Sequence, residues 1–201
     1  IQLEKIFLYL CLHGGSVFNL DTMSSALGTS KPTLSRYISY LQDANLIYIS
    51  RNLCATGKKG LSAQPKIYIA DAALSNASLM RFAPMSSETE LGIMAETTVF
   101  KHFHAAFSRF GEVGFMRSGT KGKNEIDIAV ELRNGKRLLC EVKYRNDSEL
   151  SAQDAIINSC RTEQQAFHIL ATKNPNDFGI RQTGESAPLF RIPAAALCYL
   201  L

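Results

Sequence analysis

Three side chains in the stretch 124–143 have the types and spacing to do chemistry: Asp127, Glu141 and Lys143. Two neighbouring carboxylates repel each other unless a cation sits between them. Paired hard oxygen ligands suit Mg²⁺ or Mn²⁺, and an adjacent ammonium suits a phosphate or an attacking water. The stretch reads as two strands joined by a turn, because apolar and polar residues alternate on both sides of Asn134-Gly135. Ile126, Ile128, Val130 and Leu132 fall on one face of the first strand, with Asp127, Ala129 and Glu131 on the other. In the second, Leu138, Cys140 and Val142 share a face, opposed by Leu139, Glu141 and Lys143.

A two-residue Asn-Gly loop mixes these faces. A three-residue loop, Arg133-Asn134-Gly135 with Gly135 left-handed in a bulge, pairs Ile126 with Val142, Ile128 with Cys140 and Val130 with Leu138. That register sets Asp127 opposite Glu141, about 5 Å apart at the β-carbon. Lys143 then stands two residues further along the same face. On spacing alone, an amphipathic hairpin with solvated outer charges is the commoner explanation, since charged outer faces are usual in antiparallel pairs.

The elements that must position these residues lie on both sides. Residues 88–110 read as a long helix with Leu91, Met94, Ala95, Thr98, Val99 and Phe103 on its apolar face and Glu96 at its centre. Glu96 is either a solvated helix residue or a third acid leaning over the sheet, and both readings stay open. His102 and His104 point about 200° apart on a helix and make no metal pair. Residues 112–117 suggest a strand, followed by a Gly/Lys-rich loop at 118–123; no GxxxxGK[ST] motif occurs. After the hairpin, Ser148 or Ser151 caps a helix over roughly 152–165. Buried strands follow at 167–171 and 189–192, then a final apolar turn at 194–201. Helix, hairpin, helix and strand make an α/β sandwich with a mixed sheet.

The N-terminal part predicts three helices. Ile6, Phe7, Leu10 and Cys11 recur at helical spacing before Gly14-Gly15; Leu20, Met23 and Leu27 precede Gly28; and Ser30 with Pro32 starts a third helix whose buried stripe is Leu34, Ile38 and Leu41. Strands at 46–49 and 66–70 enclose a basic loop, and 71–74 closes the second strand before a looser connector at 75–87. This is the pattern of a winged helix-turn-helix. As a DNA reader it would use Lys31, Thr33, Ser35 and Arg36 on the third helix and Lys58 and Lys59 in the wing. A packing or dimerisation module is the equal alternative, since fold does not fix function. The boundary falls near residue 85, giving parts 1–85 and 86–201.

The 201 residues carry 22 Lys/Arg against 18 Asp/Glu. Residues 1–85 hold eight basic and four acidic side chains, and 86–201 hold fourteen of each, so the net charge of +4 lies entirely in the first part. That asymmetry points to an anionic partner such as nucleic acid. Five scattered cysteines without a CxxC pair suit reduced thiols in a cytoplasmic protein. No apolar run approaches a membrane span, and the N-terminal apolar run has no basic leader, so a helix is expected there and not a signal peptide. Starting at Ile1 and entering a helix at once, the chain reads as a piece of something longer.

Glu96 on a helix, Asp127 on a strand and Glu141-Val142-Lys143 on the next strand together resemble the PD-(D/E)xK nuclease superfamily, with its restriction-endonuclease-like fold. The segments SKPTLSRYISYLQDANLIY (30–48), KIYIAD (66–71) and RSGTKGKNEIDIAV leading to EVK also resemble DUF4143, a C-terminal region found behind AAA+-type ATPase modules. That likeness covers nearly the whole chain and rests on segment order, because E-x-K alone is weak. It implies a winged helix followed by a nuclease-like domain in which Asp127 and Glu141 hold Mg²⁺ or Mn²⁺, Lys143 positions or activates water, and Glu96 adds a ligand. Ile126 stands where the superfamily's name has Pro. The resemblance also implies DNA as partner, and ATP bound only by a module outside this chain; an oligomer is compatible with it. Two functions follow as expectations. One is metal-dependent phosphodiester hydrolysis by the DNA-interacting, nuclease-like portion of an ATPase. The other is a non-catalytic DNA- or protein-binding module coupled to that ATPase.

Overall fold

Polar side chains cap the second and third helices of the N-terminal part. The computed structural model describes residues 2–54, 63–82, 87–117, 124–182 and 186–201; Lys58, Lys59 and the loop 118–123 lie outside the described residues. Helix α1 spans Gln2–Leu12, α2 Leu20–Leu27 and α3 Lys31–Asp43. The Asn19 side chain accepts from the amides of Asp21 and Thr22, and Gly28 closes α2 at φ 59°. Ser30 accepts from the Thr33 amide, with Pro32 in the first turn of α3. Leu34, Ile38 and Leu41 are the buried stripe of α3, as their spacing predicts.

Strands β1 (Ile47–Ser50) and β2 (Lys66–Ile69) pair antiparallel, Ile47 with Ile69 and Ser50 with Lys66. Their alternation serves two cores. Ile47, Ile67 and Ile69 pack with Ile6, Leu10, Met23, Leu34 and Ile38. Tyr48 and Tyr68 join the other core, with Phe100 and Phe103. The connector expected over 75–87 begins instead inside a helix, α4 (Ala72–Ser78). Asp71 caps it by accepting from the Ala73 amide at 2.9 Å. An Asp that closes a strand can equally start a helix, and here it does both.

Helix α5 (Glu88–Phe107) buries Thr97, Val99, Phe100 and Phe103. The expected stripe contains Val99 and Phe103 but omits Phe100, which stacks on Tyr68 at 4.2 Å between centroids. Leu91, Met94, Ala95 and Thr98 line a groove shared with Ala194, Ala195 and Cys198 of the last helix. The helix therefore has neighbours on two sides, and its apolar surface is wider than one stripe.

Six strands form a mixed sheet in the order β3-β4-β5-β6-β8-β7, namely Gly111–Arg117, Glu125–Leu132, Arg137–Lys143, Phe167–Thr172, Leu189–Pro193 and Gly179–Arg181. β5 runs parallel to β6 and β6 to β8, while the other neighbours are antiparallel. Helix α6 (Ala155–Thr162) links β5 to β6, and α7 (Ala194–Leu200) ends the chain. The described residues thus hold seven helices and a six-stranded mixed sheet, an α/β architecture. α5 and α7 cover one face; α6, with Ile156, Ile157 and Cys160, covers the other. Two sequence expectations are corrected, and one strand has no counterpart among them. Helix 152–165 is shorter, because the Ser151 amide binds Asp154 Oδ2 and holds the preceding residues in a turn. Residues 194–200 form a helix and not merely an apolar turn. The short edge strand β7, with Gly179 and Ile180 exposed, carries no alternating pattern to announce it.

The β4–β5 hairpin has the expected three-residue loop: Ile128 pairs with Cys140, Val130 with Leu138 and Glu131 with Arg137, and Gly135 has φ 79°. The faces of β4 are not as expected. Gly114 of β3 faces Ala129 and Met116 faces Ile126, so Asp127 and Ile128 stand together opposite Phe115. This β-bulge breaks the period of two. Ile126 consequently packs with Ala129, Leu139 and Ile156, on the opposite side from Ile128 and Val130.

The two parts also share backbone. The Phe115 amide donates to Arg51 O at 2.9 Å and the Leu53 amide to Phe115 O at 2.8 Å. Asn52 Nδ2 donates to Arg117 O, and its Oδ1 accepts from the Arg117 amide at 3.0 Å. Gly114 lies beneath this contact; a β-carbon there would stand 2.2 Å from Arg51 O.

Candidate carboxylate–lysine site

At the bulge the β4–β5 ladder ends and a side chain replaces it. The Asp127–Glu141 and Ile126–Val142 pairs expected from register give way to a bond from the Val142 amide to Asp127 Oδ2, at 2.8 Å. The carboxylate occupies the position of a strand carbonyl, so Asp127 is fixed by backbone and not by cross-strand packing. Lys143 Nζ lies 2.7 Å from Glu141 Oε1. Glu141 is 6% exposed, and its Oε2 is buried with no hydrogen-bond partner among the described residues. Lys143 and Asp127 are half-buried.

Glu96 does lean toward the sheet. Its Oε1 accepts from Lys66 Nζ at 2.9 Å and from the Tyr68 hydroxyl at 2.6 Å. Lys66 also reaches Glu125 Oε1 at 2.6 Å, and Glu125 pairs in turn with Arg117. Lys66, 3% exposed, lies over the Phe115 ring. These four residues, Lys66, Tyr68, Glu125 and Arg117, are the ones that sequence reasoning misses. A signal did exist: Lys66 and Tyr68 are two apart on a strand whose alternate residues, Ile67 and Ile69, are apolar, so both polar ends share a side.

The electrostatics follow from burial. Burial, reinforced by the charges of Glu141 and Glu96, pushes the Asp127 carboxyl well above the usual carboxylate range, against the pull of Lys66 and the Val142 amide. Burial also raises Glu141, opposed chiefly by Lys143. For Lys66 burial favours the neutral amine, but Glu96, Asp127 and Glu125 outweigh it and hold the ammonium above its ordinary value. Lys143 behaves in the same way beside Glu141. The buried Glu141 and the half-buried Asp127 form a hard-oxygen pair suited to a small divalent cation. Among the described residues no three His, Cys, Asp or Glu side chains are grouped as a ready-made metal set.

The nucleic-acid candidates lie elsewhere. Lys31, Ser35 and Arg36 are exposed on α3, and Thr33 is half-buried. Lys31 pairs with Asp21, while Thr33 Oγ1 shares a hydrogen bond with Ser30. α3 packs on the Ile67 and Ile69 side of β2; Lys66 and Tyr68 face the carboxylates from the other side. The tertiary structure thus joins Asp127, Glu141, Lys143 and Glu96 into one region and leaves the α3 residues apart. No helix among the described residues is long and apolar enough to cross a membrane.

A model of the family described as domain of unknown function DUF8612 matches residues 1–85. No curated protein matches the chain, and no solved structure does. The resemblance to DUF4143 is therefore corrected, since residues 1–85, which hold two of the segments that carried it, match the model of a different family. Segment order of helix, cap, strand and acid is shared by unrelated chains whenever the same local chemistry recurs. The expectation of an ATPase module outside the chain rested on that resemblance and loses its support with it.

Proposed function

We propose that the carboxylate region is a nuclease-like site in which Asp127 and Glu141 hold a magnesium or manganese ion and Lys143 serves the reacting phosphate or water. The observation that carries this reading is Glu141 Oε2, a buried carboxylate oxygen with no partner among the described residues, next to the half-buried Asp127. A bound divalent ion would stabilise the charge that develops during phosphodiester hydrolysis. The chain's own residues do the rest. The Val142 amide fixes the Asp127 carboxylate, and the half-buried Lys143 ammonium supplies a positive donor at the edge of the pair. In this reading the C-terminal half is a restriction-endonuclease-like domain, and the three helices and hairpin before it are a winged helix that presents DNA through Lys31, Thr33, Ser35 and Arg36. Five free cysteines suit a reducing, cytoplasmic setting.

Plasmid cleavage with added Mn²⁺ tests the assignment. Asp127→Asn and Lys143→Met should each lower the rate by roughly 10²–10⁴-fold, the range for removing a positioned catalytic group. Cleavage unchanged in Asp127→Asn sinks it.

A second reading is favoured by one specific feature: Lys143 on Glu141 and Lys66 on Glu96 already neutralise much of the acid charge from within. The same architecture then serves as a non-catalytic module that binds DNA or protein. It expects salt-sensitive DNA binding weakened by Lys31→Glu with Arg36→Glu, and no metal dependence. A gel shift without binding at low salt leaves the protein partner alone.

A further inference from the structure

The N-terminal part contributes a charge to the C-terminal site, and that charge engages the Glu96 carboxylate. Lys66 is the first residue of β2, paired through its backbone with Ser50. Its side chain crosses into the other part and ends 2.9 Å from Glu96 Oε1 and 2.6 Å from Glu125 Oε1, with 4% of the side chain exposed. Tyr68, two residues on and on the same side of the strand, donates to the same oxygen of Glu96. A buried ammonium between two carboxylates is a compact, unipositive point charge in a hard-oxygen environment. A divalent ion would have the same ligand preference and twice the charge.

We infer that Lys66 is the resident cation of the carboxylate site, holding Glu96 in place of a divalent ion, and that metal loading must displace it. The inference rests on the metal-binding reading of Asp127 and Glu141 and adds a competitor to it. Glu96 is then a metal ligand in waiting: its Oε1 is engaged by Lys66 and Tyr68 and becomes available only as the ammonium withdraws. Because Lys66 is anchored in the β1–β2 hairpin, occupancy of the site and the seating of the N-terminal part on α5 are linked. Lys66 is a positioning residue here, acting through Glu96 and not on a substrate.

Mn²⁺ is titrated calorimetrically into the full 201-residue chain as wild type, Lys66→Met, Asp127→Asn and, as a surface control, Lys101→Met. The expected result is binding by the wild type that is lost in Asp127→Asn, unchanged in Lys101→Met, and at least tenfold tighter in Lys66→Met. A merely structural lysine would not improve metal affinity when removed. Binding in a folded Lys66→Met that equals or falls below the wild type, while Asp127→Asn still abolishes it, overturns the role of Lys66 and leaves the site reading intact. No binding by either wild type or Lys66→Met overturns both, and binding by Lys66→Met alone supports the displacement. If Lys66→Met fails to fold by circular dichroism, the wild type decides through lysine acylation read by mass spectrometry. Lys66 should be protected without metal and label several-fold faster in saturating Mn²⁺; equal labelling overturns the inference.

Discussion

Asp127 holds a carboxylate where burial and two neighbouring acids oppose its charge, while Lys66 and the Val142 amide favour it. A group whose folded pKa is raised contributes stability that is fully present below its unfolded value, about 3.9 for Asp, and lost as the pH rises through the folded value. Above that unfolded value the raised pKa of Asp127 is therefore a net cost. Asp127→Asn keeps an acceptor for the Val142 amide and removes the charge. It should stabilise the chain by about 1 kcal/mol at pH 8, or roughly 2–4 °C in melting temperature, with a smaller gain at pH 4.5. Melting curves of both proteins across that range check the sign; a gain that shrinks with pH contradicts it. Added Mn²⁺ should raise the wild-type melting temperature and leave the variant unmoved, since a ligand stabilises only the state that binds it.

At the scale of the element, the bulge in β4 is what turns a hairpin into a site. Two residues facing Phe115 free Asp127 from the strand ladder and let its carboxylate take the Val142 amide. The bulge is braced on the far edge by Arg51 to Leu53, which run beside β3 and close on Arg117 through the Asn52 amide. Asn52→Ala leaves a half-buried amide and carbonyl without partners and should cost about 2 kcal/mol. Gly114→Ala forces a β-carbon against Arg51 O and should cost more, about 3 kcal/mol, in the range of severe backbone overpacking. Urea unfolding gives both values. A Gly114→Ala protein as stable as the wild type would mean that the 51–53 segment does not pack on β3 in solution.

For the whole molecule, the β1–β2 hairpin is a wall with a core on each side. Ile67 and Ile69 complete the N-terminal cluster, while Tyr68 enters the C-terminal one and stacks on Phe100. A buried lysine salt-bridged across the same boundary strengthens the coupling, because breaking such a pair by removing one partner typically costs about 3–5 kcal/mol. The two parts should therefore unfold in one transition. Phe100→Ala should lower stability by roughly 3–5 kcal/mol and speed hydrogen exchange in α3 as well as in β5. Exchange that rises only in the C-terminal half would show that the parts fold independently.

Much of this was legible in the residues themselves. The cap at Ser30, the left-handed stop at Gly28, the stripe Leu34–Ile38–Leu41 and the three-residue turn at Gly135 are local, and local rules of dihedral angle and hydrogen bonding fix them. Alternation likewise puts Glu141 and Lys143 together on β5, whereas the place of Asp127 is set by the bulge and not by alternation. Other features were not accessible in that way. The bulge depends on how β3 pairs with β4, and the wide apolar surface of α5 on having α7 as a second neighbour. Lys66 is the clearest case. Thirty residues separate it from Glu96 and fifty-nine from Glu125. The sequence by itself determined which side chains could bear charge on one strand face. Only the tertiary structure decided which opposite charge would be buried against them, because that partner arrives from another core, across a distance along the chain that no periodicity spans.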